Sequence, residues 1–320
     1  YAGMTFIAPS LVLTPNRLSV LPISIHRLVY RFAPGTLRAR LKNQIPLGVD
    51  RFPLRLPDGQ ILLLDHLEHS KILRRFAWKG IHGHEPQTIR LFQVLAKRAL
   101  EVLDIGAYFG LYALIAAKSN PKANVHAFEP VPENRRLLRH FLELNQVTCV
   151  SVHPVAVARE CGKGVLYIPA RRHSALPPTG SLKNRFLPGE VFNGRTAHTL
   201  EVRTEPLDTL IEHIGVERID LVKIDTEETE HDVIAGGVRM LERYRPDVVM
   251  EVIFGNPNVA DALSVLHELG YRFFCIEPAG LYPFDDHDPR RGKQREECEI
   301  FCTCREDSEV SRLARYLNSP

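Results

Sequence analysis

No stretch of this 320-residue chain approaches the run of apolar residues needed to span a bilayer, so a membrane-spanning protein is not expected. Cysteine is sparse: six, unevenly placed, do not make a disulfide framework, and a reducing cytoplasm is the simpler setting. Cys298, Cys302 and Cys304 are evenly spaced, as one face of a buried strand would be, and nothing at ligand spacing completes a metal set around them. A dominant charge is missing too. The formal net charge of +3 is too small to argue for a nucleic-acid partner without a dense basic patch. Repeats and low-complexity segments are absent. Residues 7–13 are apolar but short, broken by Pro9, closed by Pro15 and not preceded by basic residues, so no signal peptide is expected. What remains, 44% hydrophobic and 25% charged, excludes a disordered chain and suffices for one large α/β core with an appendage.

The most informative stretch runs from Val102 to Gly110. Apolar residues lead up to Asp104, Gly106 and Gly110 permit a tight turn, and a helical pattern starts at Leu111, which places the loop at the carboxyl end of a strand. The next strand, residues 125–128, ends in Glu129. In a doubly wound sheet that acid stands beside the glycine turn, where its two oxygens can accept hydrogen bonds from both hydroxyls of a ribose. Dinucleotide sites use G-x-G-x-x-G, yet position 108 is tyrosine and an acid precedes the turn. A carboxylate there repels a diphosphate and suits a ligand carrying an ammonium and a sulfonium. The loop therefore favours S-adenosylmethionine over NAD.

These segments resemble those of the FkbM-type S-adenosylmethionine-dependent methyltransferases. The resemblance rests on Leu103-Asp104-Ile105-Gly106-Ala107, on Ala127-Phe128-Glu129-Pro130 with Pro132-Glu133-Asn134, and on Val222-Lys223-Ile224-Asp225 with Glu227 and Glu230. His84-Glu85-Pro86 and residues 204–210 add weaker support. It implies a Rossmann-like class I methyltransferase sheet, mostly parallel, of seven strands with the last antiparallel. It implies cofactor roles for Asp104, Gly106, Ala107 and Glu129, and a Glu85 that closes over the cofactor's ammonium. Two positions depart from the family pattern. Tyr108 replaces a usual asparagine, and Glu228 replaces a glycine whose task is either a backbone conformation that side chains disfavour or close approach of a substrate.

The rest of the chain fits an N-terminal extension over residues 1–80 and a cofactor-binding unit over 81–320. Basic residues among apolar positions over residues 26–41 suggest an amphipathic helix interrupted near Pro34-Gly35, read either as a peripheral membrane contact or as a cap on the core. Pro57-Asp58-Gly59 between two apolar runs predicts a β-hairpin. Alternating strands and helices then predict a parallel sheet. Residues 170–198, irregular and basic, read as a lid insertion, and the charged, proline-bearing residues 277–297 as a second rim. One helix carrying Ile234, Val238 and Leu241 follows strand four, with Gly236 and Gly237 marking close packing or a kink.

Asp104 is placed to orient the methionine end of the cofactor through a backbone or water contact, with Gly106, Ala107, Tyr108 and Gly110 forming the turn, Glu129 and Pro130 at the ribose, and Val155 and Ala156 at the adenine. Asp225 and Glu227 are the expected acids near the methyl group, because strand four ends beside strand one. His231 is a runner-up base that shares a helical face with Glu227 only if the helix has already begun there. The same acids suit a helix N-terminus, and also a divalent metal, although carboxylates adjacent in sequence need not converge and no metal is assigned. The leading expectation is O-methylation of a hydroxyl on a sugar, glycolipid or secondary metabolite. A non-catalytic nucleoside- or partner-binding protein and an NAD-dependent oxidoreductase are the alternatives.

Overall fold

A computed structural model describes residues 23–42, 44, 49–169, 191–192, 195–226, 228–253, 257–284 and 297–318. At the N-terminal side, α1 (Ile23–Phe32) and α2 (Gly35–Leu41) part at Pro34, which ends the first helix by lacking an N–H donor. The hairpin of β1 (Arg51–Arg55) and β2 (Ile61–Asp65) turns at Gly59, whose φ of 89° needs a residue without a Cβ, while Asp58 Oδ1 accepts from Gln60 N at 3.1 Å. Phe52, Leu54, Leu62 and Leu64 alternate inward along it. The helices α3 (Lys71–Lys79) and α4 (Pro86–Ala96) follow, the first capped by Ser70 Oγ accepting from Ile72 N.

The central elements alternate as expected: β3 (Glu101–Ile105), α5 (Leu111–Ser119), β4 (Asn124–Phe128), α6 (Pro132–Leu144) and β5 (Val150–His153). After a side sheet come α7 (Leu207–Ile214), β10 (Leu221–Ile224), α8 (Glu230–Ala235), α9 (Val238–Tyr244), β11 (Asp247–Ile253), α10 (Pro257–Glu268), β12 (Arg272–Glu277), β13 (Gly280–Pro283), β14 (Glu297–Thr303) and α11 (Asp307–Asn318). The side sheet itself holds β6 (Ala156–Val157), β7 (Gly162–Pro169) and β9 (Arg195–Glu205), with β8 (Val191–Phe192) paired to β9.

The main sheet has the order β13-β12-β14-β11-β10-β3-β4-β5. Its five strands from β11 to β5 are parallel, and β14 runs antiparallel to both neighbours, giving the Rossmann-like class I methyltransferase architecture. Eight strands replace the seven expected. The extra one, β13, arises inside the segment 277–297 read as a linker, because Gly280 at φ 123° lets the chain fold back and pair Leu281 with Ile276. Two further expectations are corrected. The helix after strand four is two helices, broken where a Cβ at Gly236 would meet Ala158 O at 2.3 Å. Part of the proposed lid is strand: β9 begins at Arg195 and pairs along β7, its Thr199, Val202 and Thr204 suited to a pleated ribbon, while residues 170–190 lie outside the described residues. The hairpin packs onto the core, where Phe52, Leu54, Leu62 and Phe76 join Ile89, Phe92, Leu114 and Phe141 in one apolar cluster.

A second cluster covers the opposite face with Leu103, Ile105, Val222, Ile224, Val248 and Met250. Asn145 stitches the hairpin to the core by exchanging hydrogen bonds of 2.8 and 2.9 Å with the backbone of Leu63. The six cysteines form no disulfide, and Cys298, Cys302 and Cys304 pack into the second cluster. Among the described residues no helix is long and apolar enough to cross a membrane.

Candidate functional site

The carboxyl ends of β3, β4 and β10 open onto one crevice. The parallel register aligns Ile105 with both Ile224 and Phe128, so the residues after each strand, Gly106, Asp225 and Glu129, emerge at the same level. Gly106 sits at φ 80°, and a Cβ there would lie 1.8 Å from Asp225 O. Only glycine lets the two strand tips meet. Gly106 N and Ala107 N both donate to Phe128 O at 3.0 Å, which ties the turn to β4.

Glu129 is buried at one wall. Its Oε1 accepts from Val131 N at 2.8 Å and Asn134 Nδ2 at 3.2 Å, and its Oε2 accepts from Tyr108 N at 2.8 Å. The expectation that both oxygens are open to a ribose needs correction. Oε1 already carries two donors, so the remaining capacity lies on Oε2. Asn134 Oδ1, buried and without a hydrogen-bond partner among the described residues, offers a second acceptor on the same wall. Burial pushes the Glu129 carboxyl up to about 7, against hydrogen bonds from Val131, Asn134 and Tyr108 and the charge of Arg135, which favour the anion. Phe128, Val155, Ala156, Val157 and Leu166 supply an apolar wall beyond it. This wall sets one carboxylate and one amide oxygen beside an apolar surface.

Asp225 and Thr226 form the facing wall. Asp225 Oδ2 lies 3.4 Å from Nζ of Lys223, which is fully buried and also reaches both oxygens of Glu299 at 3.2 Å. Burial alone would lower the Lys223 ammonium, but Glu299, Asp225, Glu85 and Glu251 hold it well above its ordinary range. Burial drives Glu299 far upward, with Lys223 opposing. The lysine also stands 5.1 Å from the centre of the Tyr112 ring, whose hydroxyl donates to Glu85 Oε2 at 2.8 Å. Behind the crevice, then, lies a buried polar cluster centred on one cation.

The structure divides the expected site residues. Gly106, Tyr108, Glu129, Pro130, Val155, Ala156 and Asp225 share the crevice. Asp104 does not line it. Side chains alternate along β3, so Asp104 shares the face of its register partner Lys223, and its Oδ2 accepts from Ala113 N of α5 at 2.8 Å. Burial raises Asp104 to about 7, with that hydrogen bond and Lys223 opposing. Glu85 likewise belongs to the polar cluster, with one oxygen on Tyr112 and the other 2.9 Å from His84. Although burial pushes it upward, His84, Lys223 and the Tyr112 hydroxyl bring it down to about 2. Ala107 and Gly110 shape the turn without lining the crevice; a Cβ at Gly110 would strike Leu138 of α6.

His231 is elsewhere, 3.2 Å from Asp232 and lining a small pocket with Met250, Val252 and Val259. The premise of a shared helical face fails because α8 begins only at Glu230. Glu227 lies outside the described residues. Glu230 is a loop fastener: its Oε1 accepts from Thr226 N, Thr226 Oγ1 and Glu228 N. Both departures from the family pattern occupy left-handed backbone, Tyr108 at φ 51° and Glu228 at φ 79°. Asparagine and glycine are the residues that tolerate this region, so the backbone reading of Glu228 is the one the fold supports. Sequence reasoning missed Tyr112 and Glu299 and gave Lys223 no role. The available signal was a charged residue inside each apolar strand, Leu221–Ile224 and Glu297–Thr303.

The family model of the methyltransferase FkbM domain matches residues 104–273. The chain is 30% identical over 152 residues to the 31-O-demethyl-FK506 methyltransferase FkbM of Streptomyces tacrolimicus, covering 42% of this chain and 58% of that protein. It is 25% identical over 188 residues to Methyltransferase 1 of Beauveria bassiana, covering 55% of this chain and 74% of that one. The crystal structure of methyltransferase FkbM from Methylobacillus flagellatus aligns with a TM-score of 0.40 at 14% identity, over 72% of this chain and 54% of that chain.

Proposed function

Because the chain belongs to the FkbM methyltransferase family, we propose that it moves a methyl group from S-adenosylmethionine to a hydroxyl oxygen of a sugar, glycolipid or other small-molecule acceptor. The observation that carries this reading is the opposition of Glu129 and Asp225 across one crevice at the tips of adjacent parallel strands. Methyl transfer is an in-line displacement, and it needs the nucleoside held at one wall while the acceptor oxygen is presented from the other. Glu129 Oε2 and Asn134 Oδ1 suit the ribose hydroxyls, and the Phe128, Val155, Ala156 and Leu166 wall suits a flat purine. When bound, S-adenosylmethionine supplies a methyl group on a sulfonium that departs as a neutral thioether.

The chain's own task is alignment and removal of the acceptor's proton. Asp225 is the group proposed to take that proton, with Lys223 fixing its carboxylate at 3.4 Å. Glu85, held as the anion, lies behind it and adds negative potential that favours a cationic ligand. Residues 81–320 are assigned to this chemistry and residues 1–80 to an extension that positions the acceptor. The extension supports a lipid-linked substrate at an anionic membrane surface. Its α1 docks through Arg27, which donates to Ala77 O, Phe76 O and Pro53 O, and through a buried His26, leaving Ile25, Leu28, Val29 and Phe32 turned outward. No acid occurs among residues 23–42, so this outward apolar stripe is flanked only by basic charge.

Incubation with methyl-labelled S-adenosylmethionine and a cell extract should label the oxygen of a small hydroxyl compound. Asp225→Asn should lower that transfer by on the order of 10²–10⁴-fold, the range for a lost general base, with S-adenosylhomocysteine affinity little changed. Binding without any labelled product would favour a non-catalytic binding protein.

A further inference from the structure

Between β2 and α6, a second group of ligand-bearing side chains lines no part of the crevice. Asp65 closes β2 and opens the run Asp65-His66-Leu67-Glu68-His69, and His140 reaches it from α6 across 75 residues of sequence. His140 Nε2 lies 2.8 and 3.0 Å from the two oxygens of Asp65, and His66 Nε2 lies 3.9 Å from Asp65 Oδ1. The His66 and His140 rings meet edge to face with centroids 4.7 Å apart. One ligand atom each from Asp65, His66 and His140 falls within 4.8 Å of the others, and the same holds for His66, Glu68 and His69. His66 therefore belongs to both sets.

We propose that Asp65, His66 and His140 bind a divalent transition-metal ion of the zinc class as a three-residue ligand set, with the fourth position left to water. Two imidazoles with a carboxylate select such an ion over calcium or magnesium, which prefer oxygen ligands throughout. Zinc bonds of about 2.0–2.2 Å set tetrahedral ligand atoms about 3.3 Å apart, so His140 and Asp65 must open from hydrogen-bond distance and His66 must move in from 3.9 Å, both by side-chain rotation. His66 is held at φ 51°, a conformation unfavourable for a side chain, at the point where its ring enters both sets. Arg51 Nη2, 3.7 Å from Asp65 Oδ2, is the cation now beside the carboxylate; it is more than half exposed and free to swing away. The bound ion would clamp the hairpin to α6, adding to the Asn145 link already there.

Equilibrium dialysis of metal-stripped protein against zinc chloride should give one ion per chain. Cobalt(II) should give the visible absorption of a tetrahedral nitrogen and oxygen site, and thermal unfolding should move up by several degrees with zinc. His66→Asn, which tolerates left-handed backbone, and His140→Gln should each reduce zinc affinity at least tenfold, while His267→Gln on the exposed face of α10 leaves it unchanged. Unfolding curves recorded with chelator separate metal loss from misfolding in each variant. Failure of the wild-type chain to hold stoichiometric zinc or cobalt, or equal uptake by the His66 and His140 variants, would overturn the assignment.

Discussion

Glu129 makes the affinity for the cofactor depend on pH in a way that can be worked through. Its carboxyl is raised from 4.5 to about 7 by burial, so near neutrality about half the free protein carries it protonated. A ribose hydroxyl donating to Oε2 stabilises the anion, and binding must therefore release the proton wherever the free protein holds one. With a free-state value near 7, the apparent dissociation constant for S-adenosylhomocysteine should be roughly tenfold weaker at pH 6 than at pH 8, about 1.4 kcal/mol. Isothermal titration in two buffers of different ionisation enthalpy should detect close to one proton released at pH 6 and little at pH 8. In the unliganded protein the sign is opposite to the usual carboxylate case. The neutral form fits the fold, and the associated stability is lost as pH rises from the ordinary value through 7, by about 3 kcal/mol in total. Glu129→Gln removes both dependences. It also sets an amide N–H against Tyr108 N–H, so the variant binds more weakly at every pH. An affinity that is flat between pH 6 and 8 in the wild type, or equally sloped in Glu129→Gln, would refute the argument, since Asp104, also raised to about 7, would then be the titrating group or none would.

Glu228→Gly should stabilise the protein by roughly 1 kcal/mol, because φ 79° suits glycine; an unchanged or lower melting temperature would mean that the Glu228 side chain contributes contacts worth as much as the strain. Lys223→Met should destabilise by roughly 3–5 kcal/mol, the range for stripping one partner from a buried ion pair. The deficit should widen between about pH 5 and pH 8, since Lys223 favours the anion of Asp104, whose carboxyl stands at about 7 and ionises less readily without that cation. Urea unfolding at the two pH values measures it, and a deficit that narrows with pH would contradict the cluster's assignment.

Much of this site is readable from local patterns, because it is built from local events: a strand that stops, a turn that only glycine can make, an acid one strand over. Gly106, Glu129 and Asp225 were legible for that reason, and the sheet that aligns them follows from alternation of elements. What the pattern conceals is the face a side chain takes. Asp104 lies one residue inside the end of β3 and Asp225 just past the end of β10, so one is pinned inward to Ala113 and the other lines the crevice. His231 was misplaced because the start of α8 is set by Glu230 folding back onto Thr226 and Glu228, a tertiary detail of one loop. Lys223, Tyr112, Glu85 and Glu299 come from four separate segments and meet only in the folded core. The strand β13 was hidden because its four residues sit in a charged, proline-bearing stretch whose composition reads as a linker.

A crystal structure of the protein with S-adenosylhomocysteine bears most directly on the whole account. The ribose hydroxyls should lie within hydrogen-bonding distance of Glu129 Oε2, the adenine against Val155 and Ala156, and the sulfur toward Asp225. A ligand bound anywhere else, or a crevice that stays closed at saturating ligand, would contradict it.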